Sequence, residues 1–397
     1  MSHFSVLVIG KNVDDQLAPF HEFECTGEDN EYVQDIDITD ETRKSFETET
    51  TTRFKDPDGN LHNLFTPEGD WDERFVREFT PEEMKEHGGG IMGSGGNGKI
   101  SWSSRDWNDG RGYRAKIVHV LPEGWTEVEV PKKDVETFAD FVKDWHGKEI
   151  VPFGEIPDLA GEHKYGYALV DEKGEITKVI DRTNPEKKWD WYQVGGRWNG
   201  FFKVKPMAVG VLGTAGLQTM NKDYEPPSED RADVVLKCDV DWDGMRDEAG
   251  EEAGKRYDKV IAVLGGRPTH QTWEEIKVKN RTGEFDADGE PSVDYGKARD
   301  EYNAQPEVKL LRSNDETVWE EADNFLCTRE EFVARARNGA IATFAVVKDG
   351  KWYERGEMGW WGVVHDEKDR NEWVNQFAAL IDGLPEDTLL SVVDCHI

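Results

Sequence analysis

The apolar residues of this 397-residue chain come only in short runs, and that limits its fold more than any other feature. The longest weakly polar stretch, Met207 to Leu217, is interrupted by glycines and falls short of the ~18 consecutive apolar residues that a membrane helix needs. A core must therefore be assembled from many short elements, and these carry two different periods. Phe4 to Ile9 is β-branched and alternating, as a strand requires, and Gly10-Lys11-Asn12 ends it. Asp134 to Trp145 instead sets Val135, Phe138, Phe141 and Val142 on one side of a helix. Both periods interleave along the chain, which predicts an α+β fold with antiparallel or mixed sheets and flanking helices.

Val13 to Phe20 reads as a helical or irregular turn around Pro19. From Glu22 to Glu49 acids dominate, and Ile36 and Ile38 alternate with Asp35 and Asp37 as in an edge strand. Thr80 and Pro81 open a short helix by their capping chemistry, and Val118 to Val120 and Thr126 to Val130 read as strands. Further on, Asn221 to Arg231 and Asn280 to Gln305 are polar and read as loops on either side of a strand, Val234 to Cys238, and a helix, about Asp243 to Leu264. The last segment predicts strands at Ile341–Val347 and Trp352–Val364, a helix at Asn371–Leu380 stopped by Gly383, and a final strand at Leu389–Ile397. These signals divide the chain into an N-terminal α+β domain (1–150), a first Trp-rich β unit (151–220), an acidic insertion with one helix (221–325) and a second Trp-rich β unit (326–397). The first and last strands are candidates for one sheet.

Internal similarity supports the two Trp-rich units. Ala168 to Gly174 and Ala345 to Gly350 are each an apolar strand entering a turn that ends in glycine. Trp191-Tyr192-Gln193-Val194-Gly195 then parallels Trp352-Tyr353-Glu354-Arg355-Gly356, and Trp198-Asn199-Gly200 parallels Trp361-Gly362. The pattern predicts two related β-hairpins. The stretches SHFSVLVIG, KWDWYQVGGRWNGFF, KWYERGEMGWWG and the terminal SVVDCHI resemble a group of phage-encoded hypothetical proteins. That resemblance spans about half the chain and implies a viral product expressed inside a bacterium, without implying an activity.

The chain holds 83 Asp and Glu against 49 Lys and Arg, a formal net charge of −34. Carboxylates repel the nucleic-acid backbone, so direct nucleic-acid binding is not expected. The same charge favours attraction to basic protein surfaces and, at particular sites, divalent cations. The four cysteines, Cys25, Cys238, Cys327 and Cys395, are far apart with no C-x-x-C pair. They read as free thiols in a reducing compartment. With no secretory signal and no membrane span in the pattern, the expected location is the host cytoplasm.

Four constellations carry candidate chemistry. Asp239-Val240-Asp241-Trp242-Asp243-Gly244 alternates three carboxylates ahead of a glycine, as a calcium loop does, and makes Asp239, Asp241 and Asp243 candidate ligands for Ca or Mg. Gly250 stands where the bidentate Glu of such a loop belongs, and the competing reading makes Asp241 or Asp243 a helix cap. Glu284 to Gly289 is a weaker copy. Gly93 to Lys99 has phosphate-loop spacing, but Ile100 replaces the hydroxyl residue that would hold magnesium, so a glycine-rich loop is the better reading. Cys395-His396, with His21 and Cys25, offers a thiol–imidazole pair, yet strand alternation sends Cys395 to one face and Asp394 and His396 to the other.

The fourth is aromatic. Trp191, Trp198, Trp352 and Trp361 suit either a core or a recognition surface, and Arg197, flanked by Gly195-Gly196, is placed to touch an anionic group. Two functions follow: an acidic interaction protein that binds and inhibits a basic host protein, or a divalent-metal-dependent enzyme acting on nucleotides or nucleic acid.

Overall fold

The computed structural model describes residues 2–66, 72–78, 80, 82, 92–95, 100–103, 117–222, 224–285, 291–359 and 362–397. Its principal strands, in chain order, are β1 (His3–Ile9), β2 (Gln34–Asp37), β3 (Thr50–Lys55), β4 (Thr126–Pro131), β5 (Glu149–Val151), β6 (Gly166–Val170), β7 (Ile176–Thr183), β8 (Trp191–Gly196), β9 (Val234–Leu236), β10 (Ala345–Lys348), β11 (Lys351–Glu354) and β12 (Leu389–His396). The longer helices are α1 (Thr39–Thr48), α2 (Phe138–His146), α3 (Trp242–Leu264), α4 (Trp273–Lys279), α5 (Tyr295–Ala304), α6 (Pro306–Arg312), α7 (Arg329–Gly339) and α8 (Arg370–Asp382). The fold class is α+β.

The backbone forms two compact units, Asp29–Thr183 and the combination of Met1–Glu28 with Asn184–Ile397. The division thus falls at 28/29 and 183/184, whereas composition placed boundaries at 150, 220 and 325. The physical reason is strand pairing between segments remote in sequence, which composition along the chain does not register. β1 runs antiparallel to β12 along its whole length, His3 opposite His396 through Ile9 opposite Leu390. On its other side β1 pairs in parallel with β10, Val6 opposite Ala345. The first and last strands are therefore neighbours at the centre of an eight-stranded mixed sheet.

A central strand covered on both faces must be apolar throughout most of its length, and β1 is. Phe4, Val6 and Val8 enter one core with Phe20, Ala345, Val347, Val393 and Cys395. Leu7 and Ile9 enter the opposite core with Val346, Trp373, Phe377, Leu390 and Val392. The second flank of β12 is shared, β8 lying along Val393–His396 and β9 along Leu389–Ser391. Asp233, fully buried at the junction, accepts hydrogen bonds from the backbone N–H groups of Gly200, Phe201 and Gly213 and from Asn199 Nδ2. Four donors on one buried carboxylate offset its desolvation and tie the loop after β8 to the sheet.

A helical subcore joins this unit. α3 begins at Asp241, whose carboxylate accepts from Gly244 N at 2.9 Å, and ends at Gly265 in the left-handed region. Tyr257 and Val260 on α3 pack with Ile276, Ala298, Tyr302, Val308, Leu311 and Phe325. Asp323 fixes the packing by accepting from Tyr302 Oη, Trp273 N and His270 Nε2. This corrects two expectations: 221–325 contains four of the helices rather than one, and 280–305 holds two short antiparallel strands, Arg281–Phe285 and Pro291–Val293, followed by α5 rather than a loop. α5 buries only Ala298 and Tyr302, too few apolar positions to betray a helix by period alone.

The unit Asp29–Thr183 has its own sheet, in the order β5-β6-β7-β2, with β2 at the edge as its alternating Asp and Ile predicted. Val142 of α2 packs onto Ala168, Ile176 and Val179. Arg182 donates to Asp29 at 2.8 Å and to Asp35 at 2.9 Å, fastening the start of the unit to its last strand.

The two apolar strands that enter glycine-ended turns do open hairpins, β6–β7 and β10–β11, but in different sheets and different units, and only the second contains its W-Y-x-x-G run. Their Trp-bearing segments are not equivalent. Trp352 lies in the returning strand of its hairpin, opposite Val347, whereas Trp191 opens a separate strand opposite His396. The expectation of two matching Trp hairpins is corrected accordingly. Short W-Y-x-x-G runs fit any half-buried strand, so their repetition reflects shared strand chemistry.

Candidate functional site

One face of the central sheet changes character along its length. At one end Leu7, Ile9, Leu390 and Val392 form core. Two residues further along each strand, the same face carries Ser5 opposite Asp394 opposite Gln193, then His3 opposite His396 opposite Trp191. Period-two alternation makes these six side chains a contiguous polar and aromatic patch spanning three strands.

The patch is ordered by two carboxylate–imidazole pairs. His3 Nδ1 lies 2.9 Å from Asp394 Oδ1, with the side chains 8% and 2% exposed. His396 Nδ1 lies 2.7 Å from Asp190 Oδ1. The two imidazoles meet edge to face at 4.9 Å, and Trp191 stacks on His396 at 5.2 Å and is near-perpendicular to the His3 ring at 5.3 Å. Asp394 also accepts from Arg197 N at 2.9 Å. The turn that delivers this N–H needs Gly196, at φ +56°, because a Cβ there would stand 2.2 Å from that of Asp394. A buried carboxylate fixes the orientation of its imidazole, which is the arrangement used for proton transfer and equally for rigid structural linkage.

The five aromatic and arginine candidates separate. Trp191 belongs to the patch and is 41% exposed. Arg197 is exposed, joined to the patch through its backbone. Trp198 is half-buried, packs on the core beneath, and borders a cavity of about 590 Å³ that His3 also lines. Trp352 is on the opposite face of the sheet, against Phe4 and Phe20, with Nε1 donating to Glu354 at 2.7 Å, so it serves packing. Trp361 lies outside the described residues, as do Asp286 to Gly289, most of the Gly93–Lys99 run and most of the helix expected from Thr80.

Asp239, Asp241 and Asp243 do not converge. Asp241 is the cap of α3, Asp239 closes the preceding 3-10 turn, and the side chain of Asp243 is 94% exposed beside Arg246. Among the described residues no three His, Cys, Asp or Glu side chains gather as a metal would require. The thiol–imidazole pair is likewise absent from the geometry: Cys395 is fully buried in the core opposite the His face. Burial, then the charges of Asp394 and Asp190, hold its thiol well above the ordinary range. Cys25 is exposed, and desolvation with Asp190 and Glu22 raises it too.

Sequence reasoning missed His3, Asp190 and Asp394 as a group, together with Arg355 and Arg370. The available signal was an ionisable residue at alternate positions of two otherwise apolar strands, His3 in β1 and Asp394 in β12. Comparison with family models, with curated proteins and with solved structures returns no match to this chain.

Proposed function

We propose that this chain is an acidic interaction protein of phage origin that acts in the host cytoplasm, where it engages and inhibits a basic host protein of the defence or nucleic-acid-handling kind. The observation that carries this reading is how the chain spends its own cations. Arg182 is held by Asp29 and Asp35, Lys203 and Arg231 both by Glu248, Arg256 by Glu320 and Arg329 by Asp258. With 83 acids against 49 bases, cations committed in this way leave a surplus of carboxylates facing solvent, Glu31, Asp40 and Glu41 among them. A surface of one sign steers oppositely charged partners and rejects phosphate backbones, which favours a basic protein over nucleic acid. Among the described residues no helix is long and apolar enough to cross a membrane. The metal-enzyme alternative gains no support from Asp239, Asp241 and Asp243, since the carboxylate of Asp241 is committed to capping α3.

Affinity capture from bacterial lysate, washed at about 50 mM and about 500 mM salt, tests the proposal, because exposed charges are screened within about 8 Å at physiological ionic strength. Basic proteins should be retained at low salt and released at high salt. Glu31→Lys with Asp40→Lys should slow association about tenfold while changing dissociation less. A partner whose affinity ignores both salt and charge reversal would sink the reading.

A further inference from the structure

The cavity bordered by His3 and Trp198 runs against the charge of the rest of the molecule. Arg355, just after β11, and Arg370, the first residue of α8, both line it. Arg355 lies over the Phe344 ring at 5.0 Å. Glu367 Oε1 forms an ion pair with its Nε at 2.9 Å, out of line for a well-directed hydrogen bond. Arg370 stands at the rim, its Nη2 against the bare Cα of Gly339, and it donates at 3.5 Å to the carbonyl of Arg335. Among the described residues it has no carboxylate within ion-pair distance. Partial burial, then the charges of Arg335 and Arg355, lower its hold on its proton. A cation in the first turn of a helix is also opposed by the helix dipole. Two arginines thus line the cavity with a single carboxylate, Glu367, in a chain of net charge −34.

We propose that this cavity binds a small organic oxyanion, a carboxylate or phosphate borne on a flat apolar body, with Arg370 and Arg355 holding the charge and Trp198 and Phe344 the body. Guanidinium groups fit such anions through paired N–H donors. The volume, about 590 Å³, lies in the range of small-molecule sites and exceeds what a bare inorganic anion fills. His3, held by Asp394 in the wall, adds an oriented imidazole.

Calorimetry on the full chain with adenosine monophosphate, benzoate and inorganic phosphate tests this. One or both organic probes should bind with one-to-one stoichiometry and more tightly than inorganic phosphate. Arg370→Gln should weaken that binding by roughly 10- to 100-fold, the worth of a charge-assisted hydrogen bond, and Arg370→Lys by less. Because Arg370 is repelled by its neighbours, the unliganded Arg370→Gln protein should melt no lower than the parent, which separates a binding role from a structural one. Absence of binding by all three probes, or binding that survives Arg370→Gln, overturns the site. Inorganic phosphate binding as tightly as the organic probes overturns the organic ligand, and a lowered melting temperature assigns Arg370 to packing instead.

Discussion

Asp394 shows how much a single side chain can organise. It orients His3 with one oxygen, accepts the Arg197 N–H with the other, and requires glycine at 196. Its strand neighbour Cys395 faces the opposite core, and the contrast between two adjacent residues is testable. In the native protein Cys395 should not react with a small disulfide reagent until the chain unfolds, whereas Cys25 should react slowly near neutral pH and faster as pH rises. The sign follows from chemistry: the thiolate is the nucleophile, and a raised pKa leaves less of it at a given pH. Counting thiols titrated before and after denaturant checks it, and prompt native reaction of Cys395 would contradict the burial described. Alternation made the facing of Cys395 and His396 readable from sequence. Their partners were not, since Asp190 and His3 reach them only through strand order.

Helices were legible where their ends were marked. α3 has an Asp cap and a terminal Gly, and α8 ends at Gly383 as its sequence predicted. α4 opens with a Thr-x-x-Glu capping box at Thr272 and Glu275, a signal present in the sequence but submerged in a polar region. The Asp239–Gly244 run was ambiguous because calcium loops and helix caps draw on the same residues. As a cap, Asp241→Ala should cost about 1 kcal/mol of stability by freeing the Gly244 N–H, measured by denaturant unfolding. Calorimetry of the parent with calcium and magnesium should show no micromolar binding. Micromolar affinity lost in Asp241→Ala would restore the metal reading.

At the scale of the whole molecule, the unit Asp29–Thr183 is continuous in sequence and has its own apolar clusters. Expressed alone, residues 29–183 should give a cooperative thermal transition by circular dichroism. A featureless melt would show that the unit depends on the rest. The remainder obeys another rule, because β1 lies between β12 and β10, both made near the far end of the chain. The first and last strands were candidates for one sheet, but boundaries drawn from composition made no use of that pairing, and the place of β10 on the other side of β1 leaves no local trace. It also sets a timetable. At about 5–20 residues per second, a ribosome leaves β1 waiting roughly 20–80 s before β12 emerges. During that interval a strand as apolar as Phe4–Ile9 has unsatisfied edges and is exposed to intermolecular pairing. The like charge of the nascent chain keeps neighbouring copies apart while the clasp stays open, so acidity protects manufacture as well as shaping encounters afterwards.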